Sequence, residues 1–220
     1  MTTIQRMIRI LAAAAFALAA ASAAAQSPHT HQHSFRDAAK WSKIFDDPQR
    51  DAWQKPHEVI QALALRPDAL VADIGTGTGY FAVRLGHMLP RGRVYAVDTE
   101  ASMVKHVEER AKGAGLGNVV GVEGTAGDPR IPEKVDLILL VDVYHHIEDR
   151  ERYFAKLAAA LKPGGRLAIV DFRMDSPYGP PKAARVEPAR VKSELARAGY
   201  ELAQEHAFLP YQYFIVFRQR

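Results

Sequence analysis

The segment from residue 71 to residue 80 constrains the fold more than any other part of the chain. An apolar run ends in Asp73, a glycine-rich stretch follows, and a helical pattern begins at Tyr80. This succession predicts a buried strand, a tight turn and a helix N-terminus, which together form the ligand-binding corner of an α/β sheet. The glycines occupy alternate positions: Gly75, Gly77 and Gly79. Glycine allows positive φ and lets a ligand approach the backbone closely. The alternative is a strand-to-helix turn with a structural role alone.

A second acidic residue favours the ligand-binding alternative. Residues 93–98 are predicted to form the next strand, with the carboxylate of Asp98 at its C-terminal tip. Strand tips at this edge of a parallel sheet line the ligand crevice. A carboxylate placed there can accept hydrogen bonds from both hydroxyls of a ribose.

The glycine pattern separates two classes of ligand. The dinucleotide fingerprint is G-x-G-x-x-G, whereas this chain has G-x-G-x-G, and Tyr80 stands where the third glycine of the fingerprint is expected. The carboxylate of Asp73 is also unfavourable beside a pyrophosphate and suits a cationic ligand with an amino group. S-adenosylmethionine carries an ammonium, a sulfonium, a ribose and an adenine, and no phosphate.

Four segments resemble the class I S-adenosylmethionine-dependent methyltransferases, over about residues 53–220. Asp73–Gly79 looks like motif I of that family, and Val94–Asp98 is similar to its second strand. Val135–Asp149 resembles the fourth strand and the following loop, and Leu161–Asp171 resembles the fifth strand with its preceding turn. The His-His-Ile loop after strand four is shared with the group that contains the ubiquinone and menaquinone biosynthesis methyltransferases.

The resemblance implies a fold and a cofactor. The fold is a Rossmann-like, three-layer α/β sandwich whose seven-stranded, mostly parallel sheet ends in a C-terminal antiparallel hairpin. The cofactor is S-adenosyl-L-methionine, and the residues expected to bind it lie at the strand tips: Asp73, Gly75, Thr76, Gly77, Gly79, Asp98, Thr99, Thr125, Ala126 and Asp142. Many relatives have an acidic residue at the position of Thr125, where it contacts the adenine amino group; an alternative alignment assigns that contact to Asp128.

The loop after strand four carries the candidate catalytic residues. Methyl transfer to an oxygen or carbon acceptor requires a positioned acceptor, exclusion of water and removal of a proton. His145 is the preferred base, because histidine is best matched to proton transfer near neutral pH. Tyr144 is expected to position the acceptor or stack on it, and Asp142 to orient the methionine end of the cofactor. The alternative is that the histidines cap the loop and the next helix, for which Asp149 is a natural N-cap. We predict no metal site.

The remaining pattern alternates between strands and helices. Predicted strands cover about residues 69–74, 93–98, 118–123, 135–141, 165–171, 200–207 and 212–218, and predicted helices cover about 79–89, 101–113, 150–161 and 188–198. Residues 37–66 are predicted to form helices that cover the sheet, with a break at Pro48 and a helix start at Pro56. Their aromatic side chains either pack in the core or close over a substrate. The irregular segment 172–188 is predicted to be a lid or a substrate wall, the alternative being a surface linker.

The N-terminal residues predict export. Arg6 and Arg9 precede an apolar run over residues 10–21, and an A-x-A site precedes Gln26. This is the pattern of a secretory signal peptide over residues 1–25, and the run is short for a membrane span. We therefore expect a periplasmic protein without a stable membrane span, the alternatives being an N-terminal membrane anchor or a wrongly assigned start. Residues 26–36 are predicted to be a disordered, histidine-rich tail, and residues 37–220 the methyltransferase domain with an N-terminal helical cap.

Composition excludes several classes of chemistry and partner. The chain has no cysteine, which excludes disulfides, thiolate nucleophiles and cysteine metal sites. Loss of the predicted signal removes two arginines and no acid, so the formal charge falls from +4 to about +2. With its charges interspersed, the chain is not expected to bind nucleic acid. Its expected partner is a small-molecule methyl acceptor, and its oligomeric state is not predicted.

Two classes of function follow. The first is an S-adenosylmethionine-dependent methyltransferase acting on a small, apolar or aromatic acceptor. The second is an exported, noncatalytic binding protein that keeps the fold, which export favours because S-adenosylmethionine is made in the cytosol. An NAD-dependent oxidoreductase is the least favoured, since the dinucleotide fingerprint is incomplete.

Overall fold

The computed structural model describes residues 37–220. The predicted signal peptide (1–25) and the histidine-rich segment (26–36) lie outside the described residues. The strands of the described part are β1 Leu70–Ile74, β2 Arg93–Asp98, β3 Val119–Glu123, β4 Val135–Val141, β5 Leu161–Phe172, β6 Tyr200–His206 and β7 Gln212–Gln219. The α-helices are α1 Ala38–Phe45, α2 Arg50–Gln54, α3 Pro56–Ala62, α4 Tyr80–Met88, α5 Ala101–Gly113, α6 Arg150–Leu157 and α7 Pro188–Arg197.

One seven-stranded sheet organises the described residues, in the order β3-β2-β1-β4-β5-β7-β6. Strands β1 to β5 pair in parallel, and β7 is antiparallel to both β5 and β6. In the register, Ile74 lies opposite Val97 on one side and Leu140 on the other. The C-terminal tips of β1, β2 and β4 therefore meet at one edge of the sheet, which confirms the predicted fold.

Helices cover both faces of this sheet. The buried side chains of β4 alternate, so that Leu137 and Leu139 pack in one cluster with α3, α4 and α5. Ile138 and Leu140 pack in the other cluster with α6 and α7. Burying each such side chain contributes about 1.5–3 kcal/mol, and burial on both faces explains why β4 is apolar at every position except Asp136. The result is the predicted three-layer sandwich.

Two element boundaries differ from the prediction. Strand β5 begins at Leu161 rather than near residue 165, because Leu161 pairs with Val135, beyond a register shift in the pairing of β4 with β5. The preceding helix α6 ends at Leu157, and a 3₁₀ turn continues it over Ala158–Ala160. By contrast, α5 has the predicted bounds of residues 101–113.

Three short helices precede β1. The carboxylate of Asp37 accepts the backbone N–H of Lys40 and caps α1. Helix α2 begins after the predicted break at Pro48. Lys55 then adopts a left-handed conformation (φ 46°), and Pro56 occupies the first turn of α3, where its missing N–H has no partner to lose. We call residues 38–54 the cap segment. No helix within residues 37–220 is long and apolar enough to cross a membrane.

Candidate active site

The glycine loop joins β1 to α4 through a backbone that only glycine adopts readily. Gly75, Gly77 and Gly79 all have positive φ, at 69°, 54° and 81°. The backbone N–H of Gly75 donates to the carbonyl of Val97 at 2.8 Å, which ties the loop to β2. A Cβ on Gly75 would lie 2.4 Å from Cγ2 of Val143. Gly75 therefore allows the loop after β1 to contact the loop after β4.

A buried hydrogen bond between Asp73 and Thr76 stabilises this loop. Asp73 is only 3% exposed, and its carboxylate accepts the Thr76 hydroxyl at 2.8 Å. Burial raises the pKa of Asp73 to about 7, against the lowering effect of the Thr76 hydrogen bond. The Asp73 carboxylate is therefore buried against the turn, in hydrogen-bond contact with Thr76.

Asp98 lies where a ribose-binding acid is predicted, at the C-terminal tip of β2. Its carboxylate accepts the backbone N–H groups of Gly77 at 2.9 Å and Glu100 at 3.0 Å. Burial raises the pKa of Asp98, although these backbone hydrogen bonds oppose the shift. The contact with Gly77 brings two of the predicted cofactor residues together, and ribose binding by Asp98 stays a prediction.

The other predicted residues near β2 and β3 are exposed. Thr99 directly follows Asp98, and Thr125 and Ala126 lie in a tight turn after β3. In that turn the N–H of Thr125 donates to the carbonyl of Asp128 at 2.7 Å, and Gly124 donates to the carbonyl of Asp98 at 2.9 Å. The turn thus adjoins the tip of β2, and it holds both candidates for the adenine contact.

Asp142 is bound by donors from two other parts of the chain. Its carboxylate accepts from Arg50 at 3.3 Å and Gln54 at 3.1 Å, both on α2, and from the side-chain amide of Gln212 on β7. Burial raises the pKa of Asp142 to about 6, while the charge of Arg50 lowers it. No sequence pattern predicts these three partners, because they are distant from Asp142 along the chain and none belongs to a motif.

His145 pairs with Asp171, which is the next-to-last residue of β5. The Nδ1 atom of His145 lies 2.9 Å from each carboxylate oxygen, and the backbone N–H of His145 donates to the same carboxylate at 3.1 Å. Their side chains are 5% and 3% exposed. Burial lowers the pKa of His145, but the hydrogen bond and charge of Asp171 outweigh it and hold that pKa above its usual value. His146 is exposed, with its ring centroid 4.1 Å from that of His145.

The position of Tyr144 differs from the prediction that it contacts the acceptor. Its side chain is fully buried, its ring stacks on Phe154 at 5.2 Å, and its hydroxyl donates to Glu194 at 2.7 Å. The short 3₁₀ turn over Tyr144–His146 directs successive side chains differently, so Tyr144 enters the core while its neighbour stays at the sheet edge. The expected contact between Tyr144 and the acceptor is therefore wrong.

Asp149 occupies the N-cap position of α6, but its side chain makes no capping hydrogen bond.

An aromatic cluster lies beside the end of β5. Trp53 stacks on Tyr178 at 4.8 Å between ring centroids and lies 6.0 Å from Phe172. Tyr178 also lies 5.3 Å from Tyr211, and 43% of its surface is exposed. We call these four residues the aromatic cluster. It joins the cap segment to the loop after β5 and to the segment that precedes β7.

Arg185 organises the loop that carries Tyr178. Its guanidinium donates to five backbone carbonyls at 2.7–3.3 Å. These carbonyls belong to Arg173, Met174, Ser176, Tyr178 and Pro180. A segment predicted as irregular is thus wrapped around one cation, which fixes the position of Tyr178.

The cap segment lies directly on the glycine loop. A Cβ on Gly77 would lie 3.4 Å from the ring of Phe45, and Asp46 accepts the Thr78 hydroxyl at 3.1 Å. Asp46 also pairs with Arg110 of α5 at 2.7 Å. A shallow surface cavity of about 440 Å³ lies at this junction, between α1 and α5, and none of the predicted site residues lines it.

Comparisons with known proteins identify this arrangement. A family model described as a methyltransferase domain matches residues 72–167. The chain is 30% identical over 116 residues to a ubiquinone/menaquinone biosynthesis C-methyltransferase of Shewanella piezotolerans, covering 51% of this chain and 46% of the relative. It is 34% identical over 107 residues to a malonyl-[acyl-carrier protein] O-methyltransferase of Methylococcus capsulatus, covering 48% and 38%. The chain thus spans about half or less of the length of these curated relatives.

A solved structure matches more completely. The crystal structure of an S-adenosylmethionine-dependent methyltransferase from Aquifex aeolicus aligns with a TM-score of 0.75 and 27% identity, covering 82% of this chain and 97% of that one. This chain belongs to the class I S-adenosylmethionine-dependent methyltransferase superfamily.

The residues of this methyltransferase domain fit the cofactor of the superfamily, S-adenosylmethionine. The three glycines of the loop carry no side chain that would keep a bulky ligand away from the backbone, and Gly75 among them is exposed. Asp98 presents a carboxylate beside it that retains acceptor capacity for ribose hydroxyls. Within residues 37–220, no group of three or more histidine, aspartate or glutamate side chains is arranged to hold a metal ion.

Proposed function

We propose that this chain transfers a methyl group from S-adenosylmethionine to a small apolar or aromatic acceptor. The observation that carries the acceptor class is the aromatic cluster. Its exposed member, Tyr178, stacks on Trp53, and its buried member, Phe172, directly follows the acid paired with His145. Aromatic rings favour planar, apolar ligands by stacking.

The proposed division of work among the residues follows from their positions. When bound, S-adenosylmethionine supplies a methyl group already activated by its sulfonium charge. Asp98 holds the ribose, the glycine loop admits the methionine end near Asp142, and the cap segment excludes water. His145 removes the proton of an O–H or activated C–H acceptor.

The relatives do not fix the acceptor atom. The names of the two curated relatives specify methylation at carbon in one case and at oxygen in the other. We therefore propose the class of the acceptor and not the atom that is methylated. The comparisons do not favour the noncatalytic alternative, since the matching family and the named relatives are methyltransferases.

Calorimetry followed by an acceptor screen tests this function. We expect the purified protein to bind S-adenosylmethionine and S-adenosylhomocysteine but not NAD. Phenols, quinols and small amines are then incubated with methyl-labelled cofactor, and label transfer is measured. Transfer to a planar acceptor supports the proposal. Cofactor binding with no transfer across the screen favours the noncatalytic alternative, and tight binding of NAD contradicts both.

A matched pair of variants tests the acceptor class. Tyr178→Ala removes a stacking surface and should raise KM for a planar acceptor by about 2- to 10-fold, as expected for about 0.5–1.5 kcal/mol of stacking. Tyr178→Phe keeps the ring and should change KM little. Affinity for S-adenosylmethionine should be unchanged in both. If Tyr178→Ala and Tyr178→Phe have the same KM as the parent, the aromatic cluster does not bind the acceptor.

A further inference from the structure

We propose that Asp171 is a positioning residue that holds the ring of His145 so that Nε2 is the nitrogen presented to the acceptor proton. The inference rests on the proposed function and deepens it, since nothing in the sequence comparison assigns a role to Asp171. Its basis is the geometry of the pair rather than the presence of an acidic residue alone.

The contacts between the two residues fix both the ring and the loop. Nδ1 of His145 lies 2.9 Å from Oδ1 and 2.9 Å from Oδ2 of Asp171. The same carboxylate accepts the backbone N–H of His145 at 3.1 Å and that of Phe172 at 2.7 Å. Because the side chains of His145 and Asp171 are 5% and 3% exposed, water competes little for these hydrogen bonds.

This arrangement determines the tautomer of the neutral ring. An ionised carboxylate only accepts hydrogen bonds, so the proton of neutral His145 belongs on Nδ1 and the lone pair on Nε2. During transfer to a hydroxyl, the acceptor O–H bond breaks and its proton goes to Nε2. The electron pair of that oxygen forms the bond to the methyl carbon, and the pair of the former carbon–sulfur bond stays on sulfur. The imidazolium that forms is stabilised by Asp171.

Charged groups from several elements surround the pair. Asp142 at the tip of β4 raises the pKa of His145, and Arg150 on α6 lowers it. His146 lies on the same turn. Tyr213 lies opposite Asp171 on β7, and its hydroxyl is buried without a hydrogen-bond partner among the described residues. Removing the Asp171 charge therefore leaves Asp142 as the acid that still raises this pKa.

Asp171→Asn tests the proposal, because asparagine keeps the shape and removes the charge. Nitrogen-15 NMR of labelled histidines, with the His145 signal assigned through His145→Ala, reports the tautomer and the pKa directly. We expect Nδ1–H in the parent protein and a lower His145 pKa in Asp171→Asn. The acidic limb of kcat/KM should move to lower pH, since the base loses its proton more easily. A general base contributes about 10²–10⁴-fold to turnover, and we expect Asp171→Asn to lose most of that factor. The affinity for S-adenosylmethionine should stay within about twofold of that of the parent protein.

Glu194→Gln provides the matched control. Glu194 is a buried acid near the same turn, but it accepts from Tyr144 and Arg150 and makes no contact with His145. The control should lower thermal stability, leave the His145 tautomer unchanged and move the His145 pKa and the pH profile less than Asp171→Asn does, since Glu194 acts on His145 only through Arg150. A control that shifts the His145 signals as strongly as Asp171→Asn contradicts a specific role for Asp171.

The NMR measurement requires no turnover, so two failures are distinguishable. A parent protein with the proton on Nε2, or an Asp171→Asn protein with an unchanged His145 pKa, overturns the positioning role. A changed pKa with an unmoved pH profile also overturns it, because the pair is then structural. Absence of methyl transfer with the expected NMR response overturns the proposed function instead.

Discussion

Asp98 is directly connected to the glycine loop, since its carboxylate accepts the backbone N–H of Gly77. Asp98→Ala should weaken binding of S-adenosylmethionine by about 1.5–3 kcal/mol, as expected for hydrogen bonds to a charged group. Isothermal titration measures the change. Glu123→Gln is a suitable control, because Glu123 is paired with Asp98 in the register but is exposed. Unchanged affinity in folded Asp98→Ala protein removes the ribose assignment.

Positions of single residues were predictable where they depend on strand ends. The sequence predicts Asp98 and Asp142 at the tips of β2 and β4 because apolar runs end next to them. Side-chain direction was not predictable in the loop after β4. Tyr144 and His145 are neighbours in the sequence. The hydroxyl of Tyr144 nevertheless binds Glu194 in the core, whereas the ring of His145 binds Asp171 at the sheet edge. The partner Asp171 is visible in the sequence only as an acid near a strand end.

Strands and helices were predicted well because their patterns are local. Strand β4 is apolar except for Asp136 and is buried on both faces, so its start and end follow from the run of apolar residues. The end of α6 and the start of β5 were placed less well. That junction depends on the pairing of Leu161 with Val135, and a long-range contact of this kind leaves no periodic signal.

The loop after β5 is organised by a single side chain that no local pattern indicates. Arg185→Ala should release the segment 173–180, because five carbonyls lose their shared donor. Hydrogen exchange of residues 173–185 should accelerate, and acceptor KM should rise, while affinity for S-adenosylmethionine should not change. Lys182→Ala is the control, since Lys182 is an exposed cation in the same loop. Equal exchange rates in Arg185→Ala and the parent contradict an organising role.

Export concerns the entire chain and stays a proposal. We expect the mature protein to begin near Gln26, after the A-x-A site. Mass spectrometry of protein recovered from the cell envelope measures its first residue. Substituting Ala23 and Ala25 by bulky residues should block cleavage and retain the longer form. Soluble cytosolic protein that begins at Met1 contradicts export and removes the main argument for a noncatalytic function.

The contacts of the cap segment also have a kinetic consequence. Phe45 and Asp46 lie against the same glycine loop that is expected to hold the cofactor, and we therefore expect ligand exchange to displace them. We expect the lifetime of the bound by-product to depend on how fast these contacts break, independently of how fast the methyl group is transferred. Because the Asp46–Arg110 and Arg50–Asp142 pairs are ionic, dissolved salt screens them, most strongly where they meet solvent. If the chain is exported as we propose, ionic strength around it would follow that of the surroundings, and the release rate of the by-product would vary with it.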